Sequence, residues 1–178
     1  MQAPNDAPRA MWSRSHLPDT LPPDMGEPWA TDWAVAHAAT LAGSFRHWLG
    51  RDLLPGATKP QALAEALFDA RFVLVSHGTQ ADPVLNYGNR AALSLWEMSW
   101  DEITRTPSRL TAEPVAREER ARLLAEVTQH GHIANYSGVR ISKSGRRFRI
   151  TQAVVWNLLD ASGARCGQAA MFDRWEYL

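Results

Sequence analysis

Between residues 31 and 50 the apolar positions recur at helical spacing: Ala34, Ala38, Leu41, Phe45 and Trp48 share one face, Thr31 stands at the N-cap, and Pro55-Gly56 bars continuation. A second, shorter helix is predicted from Pro60, a residue suited to a first helical turn, with Leu63, Ala66, Leu67 and Ala70 as its apolar face. The period then changes. Phe72-Val73-Leu74-Val75-Ser76-His77 reads as a strand closed by Gly78, and Asp82-Pro83 turns the chain into a second strand, Val84 to Tyr87, which suggests a hairpin. Asn89 is placed to cap a helix over Arg90 to Met98 with Ala92, Leu95 and Trp96 inward, and Trp100 to Leu110 reads as short helical turns broken at Pro107. Pro114 opens a longer helix that ends at Gly131, with Ala121, Leu124 and Val127 inward and Glu118, Arg122 and Glu126 at i,i+4 spacing outside. Beyond Gly131 the period is two. Residues 133–142, 146–159 and 164–172 read as three strands joined by Lys143-Ser144-Gly145 and Asp160-Ala161-Ser162-Gly163.

That order predicts an α+β fold: a five-stranded antiparallel sheet with helices on one face and an N-terminal helical extension. Six of the eleven prolines lie in residues 1–30, which marks an irregular or disordered lead; residues 31–71 hold the N-terminal helices and 72–178 the sheet-bearing core. At 178 residues the chain suits one domain with a short extension. Nineteen basic against nineteen acidic side chains leave no excess of positive charge for a duplex or an anionic bilayer. The single cysteine, Cys166, excludes an internal disulfide and fits a reducing compartment. Apolar runs such as Ala153 to Trp156 fall far short of the ~20 residues that cross a bilayer, and the N-terminus lacks the apolar stretch of a signal peptide, so a soluble, cytoplasmic protein is expected.

The element order resembles a PAS domain. Asn86-Tyr87-Gly88-Asn89-Arg90-Ala91-Ala92-Leu93-Ser94-Leu95-Trp96-Glu97 is similar to the PAS segment in which an Asn caps the first helix. Pro107-Ser108-Arg109-Leu110-Thr111-Ala112-Glu113-Pro114, Tyr136-Ser137-Gly138-Val139-Arg140-Ile141-Ser142 and Gly145-Arg146-Arg147-Phe148 resemble the MEKHLA domain family, over roughly residues 31–175. That family is PAS-like, occurs as small stand-alone bacterial proteins and ends a class of plant homeodomain-leucine-zipper regulators; the resemblance implies sensing or interaction and brings no settled ligand. This chain shows neither a recognition helix with basic flanks nor a sustained heptad, so no direct DNA binding is expected.

If the long strand alternates strictly, Phe148, Ile150, Val154, Trp156 and Leu158 face the helices, and Gln152 interrupts that row. Gln152 and, on the last strand, Gln168 are the candidate polar contacts for a small ligand in a PAS-like cavity walled by Phe148, Ile150, Val154 and Trp156; the bland reading has both amides satisfied by backbone or water. Metal and cofactor chemistry find little footing. His130 and His132 flank a helix end without sharing a helical face, and His77 ends a strand. The helices between Arg90 and Gln129 contain no His and no Cys, against a haem or a flavin-adduct mode, and Cys166 reads as a small buried residue. Arg140, Lys143, Arg146, Arg147 and Arg149 crowd one hairpin, either as a receptor for an anionic partner or as a solvated edge. No nucleophile elbow, phosphate loop, dinucleotide fingerprint or paired-His zinc motif occurs, and adjacent Ser76 and His77 point to opposite faces of a strand.

The expected function is a non-catalytic PAS-like sensory or small-ligand-binding module, with a dimerising adaptor of filled core as the alternative and an enzyme using a PAS-like pocket third. Trp33, Phe45 and Trp48 give residues 31–50 more apolar surface than one side of a small sheet obviously needs, so that helix either forms a homodimer or packs on its own domain.

Overall fold

The computed structural model describes residues 27–56, 59–113 and 117–178. The expected lead lies outside the described residues except for its last four, which include a 3-10 turn over Pro28–Ala30, and the expected helix start at Pro114 also lies outside them. Helices α1 (Asp32–Leu49) and α2 (Pro60–Phe68) precede strands β1 (Val73–His77) and β2 (Leu85–Gly88). Then come α3 (Arg90–Trp96), α4 (Trp100–Ile103), a 3-10 turn at Ser108–Thr111 and α5 (Arg117–His130). β3 (His132–Ile141), β4 (Arg147–Leu159), β5 (Arg165–Phe172) and β6 (Arg174–Tyr177) complete the chain. The sheet is antiparallel in the order β2-β1-β5-β4-β3, and β6 continues past Asp173 to pair with the first half of β4. β6 is the one strand missing from the sequence reading: four residues after a bend carry too little alternation to stand out.

Both faces of this sheet are covered. Inside, α3 and α4 pack Ala92, Leu93, Leu95, Trp96 and Ile103 against Val73, Leu85, Phe148, Ile150 and Phe172. Outside, α1 lays Ala38, Leu41 and Phe45 on Leu74, Tyr87, Trp156 and Leu158, with α2 beside it. The stripe that prompted the dimer expectation is therefore buried on its own sheet, leaving Trp33 48% exposed at the helix start, stacked on His37. Three polar contacts fasten α1. His37 Nε2 meets Ser76 Oγ at 2.8 Å, Leu159 N donates to Ser44 Oγ at 2.9 Å, and Trp48 Nε1 donates to the Asn157 carbonyl at 3.0 Å. Ser76 Oγ donates onward to Asn86 Oδ1 at 2.7 Å, so it accepts from His37 and the imidazole is the neutral Nε2–H tautomer. Ser76 thus pairs with a histidine, though not with its sequence neighbour.

Asn89, fully buried, saturates its side chain. Its Oδ1 accepts from Leu74 N at 2.9 Å and Ala92 N at 3.1 Å, and its Nδ2 donates to Phe72 O at 2.8 Å and Leu67 O at 3.3 Å. The expected cap of α3 therefore also ties that helix to β1 and to the end of α2. In α5, Leu123, Leu124 and Val127 turn inward and Ala121 does not; of the two expected ion pairs, Arg122 meets Glu118 at 3.9 Å.

Two predictions follow from this packing. Asn89→Ala uncaps α3 and orphans buried backbone groups, and is expected to cost about 3 kcal/mol in urea denaturation. Burial pushes the His37 pKa from 6.5 down to about 4. Above pH 6.5 the imidazole is neutral in both folded and unfolded chains, and its contribution is complete. As the pH falls toward 4 the unfolded chain takes up the proton first, so stability declines by about 2–3 kcal/mol, and His37→Gln is expected to remove that part of the slope between about pH 7.5 and pH 4.5.

Candidate functional site

The inner face of the sheet, with α3 and α5 over it, forms a partly enclosed cavity of about 50 Å³. A water needs on the order of 10–15 Å³ on that measure, so the space suits a few waters or one small molecule. Val75, Leu85, Ile150, Val155 and Phe172 make most of the wall apolar, and Trp96, Thr111, Tyr136, Arg140 and Gln168 bring polar groups to it.

Two β-bulges shape this wall. Across the β3–β4 ladder Ile133 pairs with Val155, Tyr136 with Ala153 and Gly138 with Ile150, so two residues oppose one on each side of the Tyr136–Ala153 pair. Each bulge contains a residue in the left-handed region, Asn135 at φ 61° and Gln152 at φ 54°. Bulges re-aim the side chains beside them, and here they turn Tyr136, Ile150 and Ala153 to the cavity.

The same bulge corrects the expected row on β4. Phe148 and Ile150 belong to the inner core, as anticipated, whereas Val154 and Trp156 fall on the outer face against α1, because the extra residue reverses the parity of everything after it. Gln152 is the bulged residue and is exposed, away from the cavity. Of the six candidate ligand contacts, the structure brings Ile150 and Gln168 to the cavity wall, sets Phe148 in the adjoining core, and takes Gln152, Val154 and Trp156 elsewhere.

Gln168, 2% exposed, is a clamp. Its Nε2 lies 3.0 Å from each of Leu124 O, Thr128 Oγ1 and Asn157 Oδ1. Asn157 Nδ2 adds donations to Val127 O at 2.8 Å and Thr128 O at 3.4 Å. Two side-chain amides from the sheet therefore hold carbonyls in the last two turns of α5: Leu124 O, Val127 O, which also accepts from Gly131 N at 2.8 Å, and Thr128 O. An open recess of about 180 Å³ lies between α5 and the β1–β2 connection. It shares His77, Leu124 and Gln168 with the cavity, which puts these three between cavity and solvent. His77 Nδ1 donates to Gly78 O at 2.8 Å.

Tyr136 and Arg140 were not among the candidate contacts. Both lie on the inner face of β3 with Gly138 between them, and Arg140 Nη2 donates to Tyr136 Oη at 3.3 Å. A Cβ on Gly138 would collide with the Tyr136 phenol, so glycine is required there for the close approach. The signal was present as the i, i+2, i+4 spacing of Tyr136, Gly138 and Arg140 on one strand. Cys166, expected to be buried, is exposed at the start of β5, and among the described residues no group of three or more His, Cys, Asp or Glu is placed to hold a metal. No helix among the described residues is long and apolar enough to cross a membrane.

The MEKHLA domain family model matches residues 35–177. The homeobox-leucine zipper protein HOX10 of Oryza sativa, in both the indica and japonica forms, is 28% identical over 148 residues. The aligned stretch takes in 79% of this chain and 17% of that protein, so the chain spans only a small fraction of the curated relatives it matches. Among solved structures, the PAS domain of a protein from Colwellia psychrerythraea matches at a TM-score of 0.54 with 14% identity, over 65% of this chain and 92% of that one. A light-oxygen-voltage domain studied with a flavin analogue gives 0.53 at 16%, covering 66% of this chain and 84% of that one. An RNA-binding light-oxygen-voltage receptor gives 0.54 at 18%, covering 67% and 33%. At these identities the likeness is one of fold.

Asn157→Leu removes the clamp on the end of α5 while keeping the side-chain bulk. Amide exchange measured by mass spectrometry is expected to accelerate more than about tenfold in residues 123–130 and to stay slow in β1 and β5, with a global cost of about 2 kcal/mol.

Proposed function

Because the chain belongs to the MEKHLA domain family, we propose that it is a non-catalytic PAS-like sensory module that admits a small molecule between its sheet and its helices. The observation that carries this reading is the partly enclosed, mainly apolar cavity, with polar groups at a few points of its wall and a recess adjoining it at Gln168. Two bulges next to that wall support it further, since such irregularities gather where a strand must aim side chains at a site. Ile150 and Gln168 are the sequence-derived contacts retained, joined by Tyr136 and Arg140. Among the described residues nothing around the cavity forms a nucleophile with a base and an orienting group, and the Ser76–His37 pair lies on the opposite face with its hydroxyl proton directed to Asn86.

A second reading, an interaction module with a filled core that dimerises, draws on the small size of the cavity and on exposed Trp33. The two readings part in one experiment. In a ligand-observed magnetic resonance screen of small apolar molecules, the first expects hits that compete with one another and that a larger side chain at Ala170 on the β5 wall of the cavity, Ala170→Leu, abolishes at a stability cost of about 1–3 kcal/mol. Hits indifferent to that substitution, together with a dimer by sedimentation, would favour the second.

A further inference from the structure

The β3–β4 hairpin carries five cationic side chains, and four of them end on acids near the surface. Lys143 reaches Glu102 at 2.6 Å, Arg146 reaches Glu97 at 3.8 Å, Arg149 reaches Glu176 at 3.4 Å, and Arg147 pairs with Glu113. The fifth behaves differently. Arg140 is 7% exposed, sits on the inner face opposite Phe148, and lines the cavity. Among the described residues it has no carboxylate partner. Its guanidinium donates to the neighbouring Val139 carbonyl at 2.9 Å and to Tyr136 Oη at 3.3 Å, and lies 5.4 Å from the centre of the Tyr136 ring.

A guanidinium has five N–H donors and a permanent charge, and taking that charge out of water costs several kcal/mol unless an anion meets it. Two neutral oxygens and a ring face leave most of that cost unanswered. The surroundings are nonetheless built around the group, since Gly138 gives up a side chain so that phenol and guanidinium can converge. Trp96, another part of the cavity wall, has a buried indole N–H with no acceptor among the described residues. A buried cation and an unanswered N–H, at a partly enclosed and largely apolar site, describe a receptor for an anion.

We propose that the cavity receives a small monocarboxylate with a short apolar tail, its carboxylate on the Arg140 fork beside Tyr136 and its tail among Val75, Ile150, Val155 and Phe172. The inference rests on the reading that the cavity binds a ligand, and it names the ligand's class. A planar carboxylate matches the guanidinium fork. Among the described residues Arg140 is the one Lys or Arg that lines the cavity, which suits one negative charge better than a phosphate dianion. About 50 Å³ of space leaves room for a short tail only.

The test uses the full chain with sodium isobutyrate and isobutyramide, which share shape and differ in charge, at constant ionic strength by calorimetric titration. Isobutyrate is expected to bind at least about tenfold more tightly than the amide, because hydrogen bonds to an ionised partner are the stronger ones. Arg140→Gln is expected to abolish that preference and Arg140→Lys to restore part of it. Equal binding of acid and amide, or an acid affinity unchanged in Arg140→Gln, overturns the proposal. Amide binding without acid binding also overturns it while leaving the cavity a ligand site, and no binding of either probe, with no hits in the neutral screen, overturns both. The acid–amide comparison needs no variant, so it stands even if Arg140→Gln fails to fold.

Discussion

One strand has to furnish apolar side chains to two opposite cores. β4 runs through the sheet with α1 on one side and α3 and α5 on the other, so Phe148, Ile150, Ala153 and Val155 face inward while Val154, Trp156 and Leu158 face outward. Strict alternation would put Ile150 and Val154 on the same face. The bulge at Gln152 breaks it, at a cost on the order of 1 kcal/mol for holding a non-glycine residue in the left-handed region. Each aliphatic side chain correctly buried returns about 1.5–3 kcal/mol, so the irregularity is strongly favoured. β6 can pair with β4 only over Phe148–Thr151, the stretch before the bulge, while β5 pairs with it beyond. The bulge thus marks the point where one partner hands over to the other.

Two buried asparagines close what hydrophobic packing leaves open. Asn89 joins β1, α2 and α3 through both ends of its amide, and Asn157 joins the end of α5 to β5 through its amide and to α1 through its backbone carbonyl. Leu67, Leu74 and Phe45 add burial to the hydrogen bonds that hold α2, β1 and α1. Among its described side chains α5 turns only Leu123, Leu124 and Val127 inward, so the Asn157 and Gln168 amides carry a larger share of its attachment.

Element positions were legible in the sequence because they rest on short-range rules. Period two with Gly- and Asp-rich turns located β1 to β5, and Asn89 ahead of an apolar run located the start of α3. Side-chain direction beyond the bulge was not legible. Gln152 carries none of the glycine or asparagine chemistry that announces a left-handed residue, so one unmarked position reversed the faces of Val154 and Trp156 and moved the candidate amide into solvent. Arg140 was obscured for another reason. It lies among four other cations, and a run of charge reads as a solvated surface unless its parity is counted against Tyr136 and Gly138. Cys166 falls at the exposed start of β5, beside a register shift in the β4–β5 ladder, where alternation no longer reports depth.

The Trp48 ring lies over Gly131, where a side chain would collide with it, and the indole N–H holds the carbonyl of Asn157. Gly131 O in turn accepts from Asn157 N at 2.8 Å, directly after α5. The helix on the outer face and the helix on the inner face therefore meet around the edge of the sheet, at a single residue of β4. A rigid displacement of α5 has to break the Asn157 contacts or carry Trp48 with it. The sheet separates the two faces as solvents, but mechanically they share one hinge pin, and α1 is the place on the outer surface where movement over the cavity would be felt.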